Sequence, residues 1–333
     1  MYQLRFIAFY LSLLITTEMM SQAFPSPMEN VPFATTFGQD ANPQWGDDDN
    51  SQVYFVAIPK DWKDAVYLRV FDGDIGGAND EMMGGGFNTS CHYSIYGGND
   101  AYSNKEARKV DPVPGYKSGV LLAEKKIAVD ASFDDQWALL ATLVPNEGEW
   151  SNELNAYVFK IICDGMSGDD ANLYKYFVSS SGTENVPIQG VNPFAYELCF
   201  RLNQNTSKRS HFYPFIESNV VKVHFHHFDL DSSAYLKVNS IVRKDVPLAP
   251  SGNGVWRQSE QKIFGAEQNT SMDYQIRSKS PLPNDAVVYF TNQYGDAIPF
   301  FSTPIGGLPQ DHYKSQQKQF TKEDLEKEGL NKK

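Results

Sequence analysis

The sequence predicts an all-β chain of two β-sandwich, jelly-roll-like domains. Three observations lead there. Aromatic residues make up 14% of the chain, with 18 Tyr and 22 Phe, a composition suited to pleated, half-buried surfaces. Short apolar segments recur between turns rich in Gly, Pro, Asn and Asp, the signature of many short strands. No helical pattern interrupts them, which argues against βαβ units. At 333 residues and 41% hydrophobic content, the chain is long enough for two cores and too apolar for a disordered class.

The first segment, MYQLRFIAFYLSLLITTEMMSQAFPSP, reads as a secretory signal peptide over residues 1–23. Arg5 supplies the positive n-region and Phe6 to Thr16 the apolar run. Ser21-Gln22-Ala23 places small residues where a signal peptidase inspects them, so cleavage is expected after Ala23. The run is too short, and too soon interrupted by Glu18, to anchor the chain in a bilayer. The expected localisation is therefore secreted, periplasmic or extracellular, with no integral membrane segment in the mature chain. The formal net charge of -12 repels nucleic acid and anionic membranes and is compatible with divalent cations. Three cysteines do not make a disulfide framework. Cys163 and Cys199 fall in predicted strands. Either they pair, or all three thiols, Cys91 included, are small buried hydrophobes.

Residues 24–50 read as an extended lead-in ending in Asp47-Asp48-Asp49. Strands are predicted at 53–58, 65–71, 91–98, 119–129, 137–144, 156–162, 173–180 and 194–202, giving a first sandwich over 51–205. The polar seam NQNTSKRS, 203–210, reads as a boundary. Strands at 220–228, 234–242, 255–264, 272–279, 286–292 and 298–303 build a second, smaller sandwich over 211–308. Residues 309–333 form a polar tail, in which Thr321 and Asp324 resemble a helix-capping box.

The strand YLRVF runs into DGDIGGANDE, where Asp72, Asp74, Asp80 and Glu81 are either candidate calcium ligands or the acids of a solvated glycine turn. Calcium takes six to eight oxygens, and clustered carboxylates on a flexible backbone supply them. A standard EF-hand is excluded, because Gly76 and Met83 stand where ligands belong. Asp47, Asp48 and Asp49 can approach this loop from the other side of the first strand. The second acidic loop, with Asp164, Asp169 and Asp170 around Gly165 and Gly168, reads as a turn. Asp229 and Asp231 lack glycines and read as a strand end. His224 and His226 share one strand face and have the spacing to share a metal ion, but Lys222 on that face would repel a cation. A polar outer face is the preferred reading there.

No zincin helix, nucleophile elbow, C-x-x-C, phosphate loop or dinucleotide fingerprint is present. No catalytic residue is assigned, and the chain is read as a non-enzyme with calcium as its cofactor. Its expected partner is an extracellular protein or glycan. A carbohydrate-binding alternative would use Trp45, Trp62, Trp150 and Trp256, each near a turn or strand end. A hydrolase of unfamiliar type, acting through the carboxylates or His224 and His226, ranks third.

The segments FGQDANPQWGDDD, YLRVFDGDIGGANDE, GFNTSCHYSIYGG and VFKIICDGMSGDDANLYKYFVSS together resemble a group of secreted bacterial β-sandwich proteins. Those proteins carry FDxDxGGxxDE and FNTxxxYxxYGG segments and have no established activity. The resemblance spans roughly residues 38–202. More loosely, the chain is similar to the pre-peptidase type of accessory β-sandwich. The resemblance implies a location, an architecture and a structural or calcium role for the acid-glycine loop. It implies no reaction.

Overall fold

The computed structural model describes residues 22–43, 50–110 and 113–307. Asp47 to Asp49, Trp45 and the expected C-terminal helix lie outside the described residues. The described chain is built from antiparallel strands and a few short 3-10 turns.

Eight strands make a first roll. They are β1 (Ala34–Phe37), β2 (Ser51–Pro59), β3 (Val66–Phe71), β4 (Cys91–Gly97), β5 (Val120–Ile127), β6 (Trp137–Leu143), β7 (Ala156–Gly165) and β8 (Ala171–Ser179). They pair as one nested hairpin: β1 with β8, β2 with β7, β3 with β6 and β4 with β5. The hairpin then curls, so that β8 also pairs with β3, and β7 with β4. The result is two sheets, β1-β8-β3-β6 and β2-β7-β4-β5, which is the jelly-roll connection.

The second roll repeats the scheme. Its strands are β9 (Glu197–Arg201), β10 (Ser210–Ile216), β11 (Lys222–Phe228), β12 (Ala234–Asn239), β13 (Val246–Leu248), β14 (Trp256–Lys262), β15 (Asp273–Ser278) and β16 (Asp285–Asn292). β9 pairs with β16, β10 with β15, β11 with β14 and β12 with β13. The curl joins β16 to β11, and β15 to β12.

Both sheets continue from one roll into the other. In sheet one, β9 meets β1 at Phe200 and Ala34. In sheet two, the short strands Asn192–Ala195 and Phe300–Phe301 bridge β2 to β10. One apolar cluster runs through both, from Tyr54, Phe159 and Tyr176 to Phe212, Phe225 and Phe290. Along β11, Val223, Phe225 and His227 are buried, while His224 and His226 sit on the outer face. This is the period-two alternation of a half-buried strand.

The boundaries differ from the sequence reading in three places. Residues 24–50, expected as a lead-in, supply β1, and Ala23–Phe24 forms a short strand on β8. Phe24 is part of the core, and the expected cleavage site after Ala23 lies inside this short strand. The predicted strand 194–202 breaks at Tyr196. Its first part joins sheet two and its second part is β9 of sheet one. The seam 203–210 therefore connects the first and second strands of the second roll. Its polarity marks a turn there. The possible Cys163–Cys199 disulfide is not formed: all three cysteines are buried outside any disulfide. Cys163 belongs to the large inter-sheet cluster with Cys91, whereas Cys199 lies in a separate cluster with Phe37 and Val287.

Candidate metal centre

β3 and β6 are hydrogen-bonded neighbours, with Phe71 opposite Trp137. The loop leaving β3 and the loop entering β6 must therefore lie side by side. The first carries Asp72 and Asp74; the second carries Asp130, Asp134 and Asp135. One carboxylate oxygen each from Asp72, Asp74 and Asp134 lies within 4.8 Å of the others.

The loops are cross-tied by the backbone. Asp72 follows β3 with φ of 56°, and its Oδ1 accepts from the Asp135 N–H at 3.1 Å. Its Oδ2 accepts from the Asn79 amide at 2.5 Å, and the same amide reaches Asp135 at 2.7 Å. Asp74 is fully buried, and its Oδ2 accepts from the Asp130 N–H at 2.8 Å. Asp74 Oδ1 and Asp134 Oδ1 are buried without a hydrogen-bond partner. Two carboxylate oxygens of this trio are thus buried with nothing to satisfy them, a costly arrangement for any acceptor and worse for a charged one.

Gly76 and Gly77 make room for this. A Cβ on Gly77 would stand 3.0 Å from the Asp134 carboxyl carbon, and Gly77 itself has φ of 72°. Glycine takes that conformation at no steric cost and leaves that space open.

The electrostatics match the geometry. Burial raises Asp74 to about 6, and the Asp134 and Asp72 charges push the same way. Asp72 is also raised by burial, against the hydrogen bonds from Asn79 and Asp135. Without a counter-charge, the folded loops favour protonated carboxyls. A bound cation would reverse that preference. Three carboxylates and no nitrogen or sulfur donor make a hard, oxygen-only set, which fits calcium rather than zinc.

Of the four expected ligands, the structure brings Asp72 and Asp74 into this trio but not Asp80 or Glu81. Asp80 accepts from the Gly76 N–H at 2.8 Å and the Leu173 N–H at 2.7 Å, stapling the loop to β8. Burial raises it to about 8 despite those two bonds. Glu81 exchanges backbone hydrogen bonds with Ala171 and pairs with Arg201 at 2.6 Å. Arg201 is also held by both oxygens of Asp285. Glu81 thus ties the acidic loop to the second roll. Asp134 was missed: its local signal, two acids in a turn between predicted strands, does not say which loop that turn will face.

The other acids are engaged. Asp170 accepts from the Met83, Asn88 and Thr89 backbone N–H groups, and Asp164 pairs with Lys117 at 2.8 Å. His224 meets Glu260, and His226 meets Thr291 and stacks on Tyr289 at 4.2 Å. Burial, then the His224 charge, lowers His226 to about 4. Among the described residues the candidate tryptophans form no common platform. Trp62 packs partly buried against the core, Trp150 lies on sheet two, and Trp256 lies on sheet one, tilted 42° and 59° to its ring neighbours.

No family model and no curated protein matches the chain. Among solved structures it is similar to a chain described as "Structure of infectious bursal disease virus Gx strain". Identity is 10% over 84% of this chain and 72% of that chain, with a TM-score of 0.14. A likeness of that size carries no argument.

Proposed function

We propose that this is a secreted, non-enzymatic double jelly roll that acts as a structural or binding protein and is stabilised by calcium at Asp72, Asp74 and Asp134. The observation that carries the reading is the pair of buried, unpartnered oxygens, Asp74 Oδ1 and Asp134 Oδ1, beside Asp72. Backbone carbonyls and water would complete the shell of a calcium ion. The ion's role is mechanical: it neutralises the clustered charge and pins the β3–β4 loop to the β5–β6 loop. The −12 charge favours cations and disfavours anionic partners.

The test is the thermal midpoint in excess calcium and then in a chelator. A cation bound only by the native state stabilises it by about 2.7 kcal/mol when free calcium exceeds Kd a hundredfold. The midpoint should rise with calcium, and Asp74→Asn should abolish the rise. An unchanged midpoint at millimolar calcium would reduce the loops to turns.

A further inference from the structure

Sheet one ends on β6 in roll one and on β14 in roll two; sheet two ends on β5 and on β13. An end strand leaves a row of backbone N–H and C=O groups open to another strand. The two ends of the molecule guard this row differently. In roll two, β14 carries Arg257, Glu260 and Lys262, and β13 is three residues long with Pro247 at its centre. Phe264 and Tyr235, both exposed there, lie under cations: Arg243 over Phe264 at 4.7 Å, and Arg277 and Lys279 over Tyr235 at 4.6 and 4.7 Å. Charge, proline and shortness all discourage an added strand.

In roll one, β6 reads WALLATL and carries no charge on either face. Among the described residues its far edge pairs with no strand. Leu139 is exposed, as are Val144 just after β6, Val120 and Leu121 on the neighbouring β5, and Val129 between the two strands. Lys125 of β5 lies over Phe133 at 4.8 Å, and its Nζ meets the Leu139 carbonyl at 3.5 Å, the outer limit of a hydrogen bond.

We infer that the roll-one end binds a second copy of this chain, β6 against β6, antiparallel about a two-fold axis. Charge selects this occupant. The chain carries a net charge of -12, so two copies repel over most of their surface and meet best where no charge stands. Antiparallel pairing centred on Leu140 sets the flanking acids Asp134 and Asp135 opposite Asn146 and Pro145. Parallel pairing would set each acid beside its own copy, an unfavourable arrangement. The fold already joins strands edge to edge between its rolls, where β9 extends sheet one beyond β1. Isologous pairing uses the open edge of each β6 and closes at two copies. A bulge at Leu140 shortens the ladder, and the exposed residues of β5 widen the contact around it. The paired residues, 137–143, include none of the acidic trio, so the pairing stands apart from the calcium reading.

The experiment is sedimentation velocity of the full chain over a wide range of concentration, with amide hydrogen exchange over 137–143 at both ends of that range. The mass should rise from one chain to two. Protection of 137–143 should rise with it, because the amides that face away from β3 gain partners. Leu139→Lys, at an exposed position, places a lysine of each copy close to the axis and should keep the chain monomeric. Leu282→Lys, at an exposed position in roll two, should leave the dimer intact. Exchange reads the contact on the unaltered protein, so a variant that fails to fold does not remove the test. A monomer at every concentration, growth past two chains, or a dimer in which 137–143 gains no protection would overturn the assignment.

Discussion

The two rolls solve the same local problem with different chemistry. In each, the loop after the third strand lies against the loop before the sixth. In each, the first residue after the third strand is an aspartate in the left-handed region, Asp72 at 56° and Asp229 at 51°. In each, its Oδ1 accepts an N–H from the opposite loop, Asp135 in one case and Gly254 in the other. The rolls then diverge. Roll one adds a buried Asp74 and brings Asp134 across to it; roll two leaves Asp231 exposed and brings Ser251. The Ser251 hydroxyl accepts from the Leu230 N–H at 3.1 Å, and its carbonyl accepts from Ser232 at 2.7 Å. Roll two adds a neutral serine to its one closing aspartate; roll one is left with carboxylate oxygens that no protein group satisfies. The wrapping alone brings the loops together. The residue type on the second loop decides whether carboxylate oxygens are left without a partner.

The largest effect that would break this comparison is at Asp134. Asp134→Asn should remove the calcium-dependent rise in the melting midpoint, a loss of about 2.7 kcal/mol at a hundredfold excess over Kd. Titration of the variant with calcium, followed by melting, reads this directly. A full calcium response in Asp134→Asn would mean the cation sits elsewhere.

The counterpart in roll two should behave differently. Asp229→Ala leaves the Gly254 N–H without its acceptor and should cost about 1–3 kcal/mol. That loss should be the same with calcium and with chelator, as measured by denaturant unfolding. A calcium-dependent penalty at Asp229 would mean that the rolls are alike after all.

Gly77→Ala separates shape from charge. The substitution keeps every carboxylate but forces a side chain to φ of 72° and against the Asp134 carboxyl. The backbone strain should cost about 1 kcal/mol or more, with weaker calcium binding in addition. Unchanged affinity by calorimetry would show that the glycine serves the turn alone.

Much of this contrast was visible in the residues before the fold was known, and part was not. Strand positions followed from alternation and turn residues, because side-chain burial on a sheet repeats every second residue. Asp72 and Asp74 stood out because they are neighbours in sequence. Asp134 did not, because its pairing with them depends on β3 meeting β6, a contact between residues some sixty positions apart. Asp80 and Glu81 looked like ligands for the same reason that Asp134 did not: proximity in sequence says nothing about which backbone N–H or arginine a carboxylate will meet. The stretch 194–202 reads as one strand because its apolar run is continuous, yet it supplies strands to two different sheets.

The finest test is the pH dependence, where both rolls respond but only one should respond to calcium. Asp74 and Asp229 are each raised from 3.8 to about 6, by burial first in both cases. A carboxyl raised on folding holds its proton more tightly in the native state. Its contribution is complete below the ordinary value and is lost as pH rises through the folded value. In chelator, both rolls should therefore weaken between about pH 4 and pH 6. Asp80 and the fully buried Glu29, both near 8 through burial, extend the decline to about pH 8. Calcium requires ionised carboxylates, so its stabilisation should be absent near pH 4 and grow as Asp74 ionises. The chelator and calcium melting curves should coincide in acid and separate above pH 6. In Asp74→Asn they should coincide throughout, while the decline due to Asp229 persists. Parallel curves in the unaltered chain would mean that calcium binds without drawing on Asp74, and the contrast between the rolls would then rest on Asp72 and Asp134 alone.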